Sequence, residues 1–196
     1  MKDLLIIGDV HGKINQYWKI LQSKKFEMSI QVGDFGFKKE HEWFLDNIDY
    51  TKNKINFGNH DDYTFLNKLH SLNNYSYLDN YNLMTVRGAF SIDHYRRKQN
   101  IDWWDNEELC YDEMQNAIDL YNIKKPEIMI THDCPQNIRK ILFNIHDKSI
   151  TSNGLQIMLE DHQPKLWIFG HHHKSINVNI NGTNFICLNE LESILI

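Results

Sequence analysis

The sequence predicts an α/β (α+β) fold of two packed sheets with helices on their outer faces. In the first part of the chain, short apolar, β-rich runs alternate with segments whose apolar residues have helical spacing. This order is typical of parallel strands covered by helices. Closely spaced short strands come later, and Asn181 and Gly182 lie between two of them as a strong hairpin signal. A parallel set followed by antiparallel strands indicates two sheets.

Three strand–helix units are predicted in the first part of the chain. Each strand is a short apolar run, and each helix has apolar residues three or four positions apart on one face. After the third strand, the acidic pair Asp61 and Asp62 indicates a helix start, and Phe65, Leu66 and Leu69 continue its apolar face. The predicted strands are 4–8, 28–32 and 54–57, and the first two predicted helices are 14–21 and 40–48.

The rest of the chain adds six predicted strands and three predicted helices. The strands are 75–78, 82–86, 127–131, 165–169, 176–180 and 185–188, and the helices are 107–121, 137–143 and 155–161. The chain has 196 residues, of which 41% are hydrophobic. Because this is enough for one proper core and little more, we expect a single domain over residues 1–196.

Charge and cysteine content exclude several classes of function. The formal net charge is −5 and there is no long basic run, so we do not expect sequence-independent binding to duplex DNA. Cys110, Cys134 and Cys187 lie far apart without a CxxC pair, which argues against a zinc knuckle or a disulfide framework. Nothing resembles a signal peptide or a membrane-spanning stretch. We therefore expect a cytoplasmic protein with no membrane partner, and no oligomeric state is predicted.

Five polar clusters follow predicted strands, and together they suggest one metal site. Strand ends that point the same way bring distant residues to one edge of a sheet. Carboxylate, imidazole and amide groups that converge there can hold two divalent ions. The clusters are Asp9-Val10-His11, Gly33-Asp34, Gly58-Asn59-His60-Asp61, Thr131-His132 and Gly170-His171-His172-His173.

A single cluster of this kind is weak evidence, because such residues are common in loops and helix caps. The five clusters in this order, however, resemble the signature of the calcineurin-like metallophosphoesterase superfamily. That signature is Asp-x-His, Gly-Asp, Gly-Asn-His-(Asp/Glu), a lone His and then Gly-His-x-His. The resemblance extends from Asp9 to His173 and implies a four-layer αββα fold, a β-sandwich flanked by helices.

The resemblance also implies a set of metal ligands. Asp34 would bridge two divalent ions, and manganese is favoured, while iron, zinc or nickel also suits mixed nitrogen and oxygen ligands. A hydroxide formed from water shared by the two ions would be the nucleophile. The implied ligands are Asp9, His11 and His173 for the first ion and Asn59, His132 and His171 for the second.

Three further residues of these clusters have roles left open by the sequence. In the family pattern, His60 lies near the leaving oxygen as a general acid or a stabilising donor. Asp61 either orients His60 in catalysis or caps the following helix. The side chain of His172 should project away from its two neighbours in an extended segment, so it has either a structural role or a contact with substrate.

The segment from Arg87 to Arg97, followed by Trp103 and Trp104, is the most distinctive part outside the clusters. It resembles a segment of many small bacterial and phage family members. The arginines could bind a second phosphate or a sugar, and the tryptophans could stack on a base. Alternatively, the tryptophans pack the segment onto the domain and the arginines are solvated. The candidate substrate-binding residues are thus Arg87, Arg97, Trp103, Trp104 and His172.

The leading hypothesis is a metal-dependent phosphoesterase that acts on a small phosphoester or nucleotide substrate, with short single-stranded nucleic acid as another possibility. Phosphodiester cleavage is slightly favoured over monoester cleavage, because an acid at His60 helps a poor leaving group. A phosphoprotein phosphatase is disfavoured. Those enzymes carry an Asp-Arg-Gly motif after Gly-Asp and an arginine directly before Gly-Asn-His. This chain has Phe35 and Phe57 near those two positions. A catalytically silent scaffold that binds proteins is the alternative from another class.

Overall fold

The computed structural model of the chain describes residues 3–65, 69 and 71–196. Its strands form two sheets with the orders β10-β1-β2-β3 and β4-β5-β6-β7-β9-β8. The strands are β1 (Leu4–Ile7), β2 (Met28–Gln31), β3 (Asn53–Ile55), β4 (Tyr75–Leu78), β5 (Leu83–Val86), β6 (Ile128–Thr131), β7 (Leu166–Phe169), β8 (Ile176–Ile180), β9 (Thr183–Cys187) and β10 (Ser193–Leu195).

Five α-helices are found in the described part of the chain, with short 3-10 turns between several of the strands. The helices are α1 (Ile14–Ser23), α2 (Glu42–Leu45), α3 (Tyr111–Lys124), α4 (Gln136–Phe143) and α5 (Ile150–Asp161). Among the residues described, no helix combines the length and the apolar character that a membrane span requires.

The pairing of the strands differs in part from the sequence prediction. In the first sheet, β1, β2 and β3 are parallel as predicted, and β10 pairs antiparallel with β1. In the second sheet, β5, β6, β7 and β9 are parallel, and only the edge strands β4 and β8 are antiparallel. The predicted hairpin is confirmed, since Asn181 (φ 52°) and Gly182 (φ 94°) join β8 to β9.

Alternating residues of the strands divide the core into three apolar layers. Leu5 and Ile7 pack on the side of α1, whereas Leu4 and Ile6 pack between the two sheets. Residues of the second sheet such as Trp167 pack against α3, α4 and α5. Strands buried on both faces read as continuous apolar runs, which explains the strand signal in the sequence. The order helix, sheet, sheet, helix confirms the predicted four-layer fold class.

Some element boundaries differ from the predicted ones for local reasons. Helix α3 begins at Tyr111 and not at 107, because Glu113 accepts a hydrogen bond from the backbone nitrogen of Cys110 in a capping box (2.9 Å). Helix α5 begins at Ile150, where the Oγ of Ser149 accepts from the backbone nitrogen of Ser152 (3.0 Å).

The predicted second helix is shorter in the structure, and the predicted third helix is only partly described. The segment predicted as 40–48 forms a 3-10 turn (Lys39–His41) followed by the four-residue α2. Its apolar residues Phe44 and Ile48 are nevertheless buried as expected. After Asp61 the described residues show only a 3-10 turn (Tyr63–Phe65), and Leu66 lies outside the described residues. The three-residue β10 was not predicted, because its position depends on pairing with β1.

Candidate metal centre

The residues of the five polar clusters lie where strands of both sheets end. Asp9 and His11 follow β1, and Asp34 follows β2. Asn59 comes a few residues after β3, His132 directly follows β6, and His171 comes soon after β7. Because these strands are parallel within their sheets, their carboxyl ends meet at the same edge. The side chains of the clusters form two groups of possible ligands that share one residue, Asp34.

The first group consists of Asp9, His11, Asp34 and His173, whose donor atoms all lie within 4.8 Å of one another. The Nε2 atoms of His11 and His173 are 2.9 Å apart, and Nε2 of His173 is 3.2 Å from Oδ2 of Asp9. Ligand bonds of about 2.0–2.2 Å place neighbouring donor atoms roughly 3 Å apart. This spacing therefore suits a shared cation. His173 is half-exposed, so this group faces solvent.

The second group consists of Asp34, His132 and His171. Nε2 of His132 lies 3.3 Å from Oδ1 of Asp34 and 3.2 Å from Oδ1 of Asn59, which adds an amide oxygen to the group. The rings of His132 and His171 are 5.1 Å apart at their centroids. This group is more deeply placed than the first, because Asp34, Asn59 and His132 are all buried.

Several buried polar atoms of the centre fit a bound cation. Asp9 accepts a backbone hydrogen bond from His171 through Oδ2, and Asp34 accepts one from His60 through Oδ1. Within the described residues, Oδ1 of Asp9, Oδ2 of Asp34 and Nδ1 of His132 have no hydrogen-bond partner. Buried carboxylates without partners are costly unless a positive charge compensates them. The donor set of carboxylate, imidazole and amide therefore fits divalent ions.

Glycines that precede the ligands allow the close approach of these groups. A Cβ on Gly58 would lie 2.2 Å from Oδ1 of Asp34, and a Cβ on Gly170 would lie 2.0 Å from Oδ1 of Asp9. Neither position has room for a side chain. The glycine of each Gly-Asn and Gly-His motif is thus required by packing against a carboxylate of the centre.

The backbone is also unusual at the candidate ligands. His11, Asp34, His171 and His173 all have positive φ values, from 47° to 63°. Residues other than glycine rarely adopt this left-handed region, and such conformations persist only when the surrounding structure holds them. The concentration of strained residues at one centre is typical of a functional site.

The charges of the centre are balanced between carboxylates and imidazoles. Burial on its own would raise the pKa of Asp34, but His132, His60 and His11 hold that pKa well below its usual range. Burial would lower the pKa of His132, yet Asp34 and Asp9 raise it to about 9. Without an ion, a protonated His132 therefore compensates Asp34. A divalent ion would take over this role and release the proton, as in other metal sites.

Comparison with known families agrees with this centre. The family model for calcineurin-like phosphoesterases matches residues 3–175, which includes every candidate ligand. The chain belongs to the calcineurin-like phosphoesterase family. No curated protein sequence matches this chain significantly.

Two solved structures have the same fold as this chain. A candidate 5′-nucleotidase from Staphylococcus aureus has a TM-score of 0.59 and 12% identity, with 98% of this chain and 50% of that chain covered. This chain thus spans half the length of that protein. Phosphopantetheinyl hydrolase from Mycobacterium tuberculosis has a TM-score of 0.55 and 11% identity, with 95% and 89% covered. At such identities the likeness shows the fold alone.

His60 lies at the open side of the centre and contacts Arg97. The backbone nitrogen of His60 donates to Oδ1 of Asp34 (2.8 Å), and its side chain is exposed. Nη2 of Arg97 is 3.1 Å from Nε2 of His60 and 2.8 Å from Oδ1 of Asp93. Partial burial of the ring lowers the pKa of His60, Asp34 opposes this shift, and Arg97 adds to it. Arg97 is therefore a predicted substrate-binding residue that contacts His60.

Asp61 has a structural position that matches neither role proposed from the sequence. Its buried carboxylate accepts hydrogen bonds from the backbone nitrogens of Gly36 (2.6 Å) and Gly58 (2.8 Å). These contacts tie the loop after β2 to the loop after β3. Burial and the nearby Asp34 raise the pKa of Asp61 to about 7. Its side chain supports the loops that present Asp34 and Asn59.

His172 points away from the open side of the centre, as its alternation with His171 and His173 predicts. Its ring stacks on Phe143 with centroids 3.9 Å apart, and Nε2 lies 3.2 Å from Oδ1 of Asp133. Only 5% of the side chain is exposed, so a substrate contact through it is not supported. Asp133, Cys134 and His172 could form a third ligand group, but Nε of Arg139 lies 3.5 Å from the same carboxylate oxygen and supplies the compensating charge.

The other predicted substrate-binding residues are packed and not solvated. Arg87 is 3% exposed, and its guanidinium donates to Oδ1 of Asn74, the hydroxyl of Tyr63 and the carbonyl of Asn106. Trp104 is 8% exposed and belongs to the apolar cluster on the side of α1. Trp103 is half-buried, with its ring 5.8 Å from that of His94. Arg87 therefore has a structural position, and a direct contact of Arg87 with substrate is not supported.

Sequence reasoning missed a chain of hydrogen bonds behind Asn59. Nδ2 of Asn59 donates to Oγ of Ser91 (2.9 Å), and Oγ of Ser91 donates to Oε2 of Glu107 (2.9 Å). The backbone nitrogen of Ser91 donates to Oε1 of the same carboxylate (2.8 Å). Burial raises the pKa of Glu107 to about 7, although hydrogen bonds from Ser91 oppose the shift. No sequence spacing links these three residues.

Proposed function

We propose that this phosphoesterase uses two divalent ions to hydrolyse a phosphodiester or phosphomonoester of a nucleotide-like or other small substrate. The observation that carries the proposal is that Asp34 belongs to both groups of possible ligands. A single carboxylate can bridge two cations about 3.5–4 Å apart. In this proposal Asp9, His11 and His173 hold one ion, and Asn59, His132 and His171 hold the other.

When bound, the two ions would acidify a water molecule and offset negative charge on the phosphoryl oxygens. Manganese is our favoured ion, and iron, zinc or nickel suits the same donors. Because the ligands follow strands of both sheets, the proposed site needs both sheets, in agreement with one catalytic domain.

The residues of this chain supply the remaining parts of the chemistry. His60 is exposed, and in the protein without substrate its Nε2 accepts from Arg97. In this proposal the substrate displaces that contact, and the protonated ring donates a proton or a hydrogen bond to the leaving oxygen. Arg97, 3.1 Å from His60, can bind a phosphoryl oxygen through its planar donors. Because an alcohol is a poor leaving group without a proton donor, the position of His60 favours phosphodiester cleavage.

A small substrate agrees with the charge of the protein and with the general class of its fold relatives. The net charge of −5 disfavours a broad contact with duplex nucleic acid. The names of the two proteins with the same fold, a candidate 5′-nucleotidase and a phosphopantetheinyl hydrolase, refer to small phosphoesters. At 11–12% identity these names do not identify a substrate for this chain.

The test is parallel hydrolysis of bis(p-nitrophenyl) phosphate and p-nitrophenyl phosphate with manganese, iron, zinc or nickel added one at a time. We expect turnover that depends on the added metal and stops with a chelator, with the diester hydrolysed at least as well as the monoester. The absence of turnover of both esters under every metal, with the fold intact by circular dichroism, would contradict the proposal. That result would favour the catalytically silent scaffold.

A further inference from the structure

A pocket of about 390 Å³ lies directly beside His60. It is formed between the loop after β2 and the segment that contains Ile101 and Trp104. Its walls contain apolar side chains, cationic side chains and side chains that can form hydrogen bonds. The lining residues used below are Phe37, Lys38, Lys39, Ile101 and Trp104 together with His60.

We propose that this pocket binds the leaving half of the substrate and that this half is an apolar ring that carries an anionic group, as in a nucleotide. The inference rests on the proposed function, because it assigns the leaving oxygen to the side of His60. A proton donor must lie within hydrogen-bond reach of the oxygen it protonates. The group attached to that oxygen must then occupy the space that His60 lines.

The apolar part of the pocket suits a ring. Phe37 is buried at its base and packs edge-on against Phe65, with centroids 5.2 Å apart. Ile101 is 69% exposed and gives the rim an apolar side chain that a bound ring would cover. Ligand pockets are typically lined by apolar and aromatic side chains with a few polar groups that orient the ligand.

Trp104 contributes an aromatic ring to the wall of the pocket. The residue is 8% exposed, and its indole Nε1 is shielded from solvent with no hydrogen-bond partner among the described residues. A donor left without an acceptor is costly, but a ligand in the pocket does not reach this atom in the present conformation. Trp104 therefore adds ring surface to the pocket and no hydrogen bond.

The rim of the pocket carries two lysines. Lys38 and Lys39 are exposed, and no ion pair of either is found within the described part of the chain. Two acidic residues, Asp62 and Asp102, line the same pocket. Oδ1 of Asp62 accepts from the backbone nitrogen of Thr64 (2.9 Å), and Oδ1 of Asp102 accepts from the backbone nitrogen of Lys98. In the proposal the two lysine ammonium groups meet an anion at the far end of the ligand.

The size of the pocket sets an upper limit on this half of the substrate. Pockets that bind small molecules have volumes of roughly 300–1,000 Å³, and this one is at the lower end of that range at about 390 Å³. One ring system with its substituents is therefore a better match than a folded protein or a duplex. The negative net charge of the chain also disfavours a nucleic-acid duplex as the ligand.

The proposal is tested with manganese-loaded protein and three dinucleotides: TpT, pTpT and TpTp. We expect the value of kcat/KM for one of the two phosphorylated dinucleotides to exceed that for TpT by about fivefold, the size of one exposed ion pair. The double variant Lys38→Ala/Lys39→Ala should lose this advantage. The control Lys19→Ala/Lys25→Ala changes two exposed lysines outside the pocket and should keep the advantage.

A second variant tests the apolar rim. Ile101→Glu should raise KM for the preferred dinucleotide by about fivefold or more, because it places a negative charge at the rim. Ile123→Glu is its control, since Ile123 is 78% exposed on α3, away from the pocket. Equal kinetics of wild type and both pocket variants, in protein that does hydrolyse bis(p-nitrophenyl) phosphate, would overturn the pocket assignment and leave the proposed function standing.

Binding tests the pocket even in protein that does not hydrolyse either nitrophenyl ester. Calorimetric titration of manganese-loaded protein with thymidine 3′,5′-bisphosphate should give a Kd that rises about fivefold in Lys38→Ala/Lys39→Ala. The control lysine variant should bind as wild type does. Binding that is absent, or equal in the two double variants, would overturn the inference.

Discussion

Nδ2 of Asn59 donates to Oγ of Ser91 at 2.9 Å, and this contact decides which atom of the amide faces the metal centre. The hydroxyl and the backbone N–H of Ser91 both donate hydrogen bonds to the carboxylate of Glu107. Toward Asn59, Oγ of Ser91 can therefore act only as an acceptor. The amide nitrogen therefore faces Ser91. The amide oxygen is left beside His132, 3.2 Å from its Nε2, where a cation would need it.

Ser91→Ala should weaken binding of the second ion. Loss of a hydrogen bond that orients a ligand typically costs about 10–100-fold in metal affinity or activity. Titration with manganese, followed by calorimetry, should show this loss for one of the two ions. Ser23→Ala is the matched control, because Oγ of Ser23 at the end of α1 donates to the carbonyl of Ile20 (3.0 Å). Unchanged affinity for both ions in Ser91→Ala would show that Asn59 needs no such support.

Glu107→Gln should change how stability depends on pH. The folded protein holds the pKa of Glu107 at about 7, compared with an ordinary value of 4.5. Between these values the folded state binds more protons than the unfolded state, so this residue lowers the free energy of unfolding as pH rises. Removing the titrating group should remove this contribution.

The measurement is urea unfolding of metal-free protein between about pH 4.5 and pH 8. Relative to wild type, Glu107→Gln should gain stability as pH increases through this window. Glu160→Gln is the control, because Glu160 is exposed on α5 and is not one of the residues of the metal centre. Parallel pH profiles of wild type and Glu107→Gln would contradict the raised pKa.

Asp34→Asn and His60→Ala should separate metal binding from proton donation. Asp34 belongs to both ligand groups, so Asp34→Asn should lower occupancy of both ions and nearly abolish activity. His60 contributes no side-chain atom to either group. His60→Ala should therefore keep its metal content and lose about 10²–10⁴-fold in rate if His60 is the general acid. Elemental mass spectrometry measures the contrast, and a His60 variant without metal would show that our assignment is wrong.

Arg97→Ala should weaken substrate binding with little effect on metal content. The guanidinium lies 3.1 Å from His60 and can bind an anionic oxygen, a contact worth roughly 1.5–3 kcal/mol. We expect KM for bis(p-nitrophenyl) phosphate to rise about tenfold or more. Arg96→Ala is the matched control, since Arg96 is exposed and lies over the ring of Tyr95. Equal KM values for the two variants would exclude a contact between Arg97 and the substrate.

His172→Ala should lower stability and metal affinity but leave KM almost unchanged. The change removes the stacking on Phe143 and leaves Oδ1 of Asp133 without the contact from His172. That oxygen keeps the backbone nitrogen of Cys134 as a donor (2.8 Å), and the loss of one hydrogen bond to a charged group costs roughly 1.5–3 kcal/mol. Urea unfolding should show this loss, whereas exposed His146→Ala should not. A raised KM with unchanged stability would instead support the substrate contact considered from the sequence.

The sequence by itself was sufficient for the fold class and for the positions of the polar clusters. Each strand is a local apolar run, and each polar cluster directly follows or lies close to a strand end. Both patterns can therefore be recognised without knowing which strands pair with each other. Parallel strands then bring the clusters to one edge. The family match over residues 3–175 and the four-layer arrangement confirm the predicted family and fold class.

Only the tertiary structure decided what each side chain between Arg87 and Trp104 contacts. Arg87 donates to the hydroxyl of Tyr63, Arg97 contacts Nε2 of His60, and Oγ of Ser91 accepts from Asn59. These contacts join residues from 24 to 37 positions apart, and no periodicity connects them. A local pattern records which residues are apolar or helical, whereas the partner of a polar side chain depends on how the loops and sheets pack together.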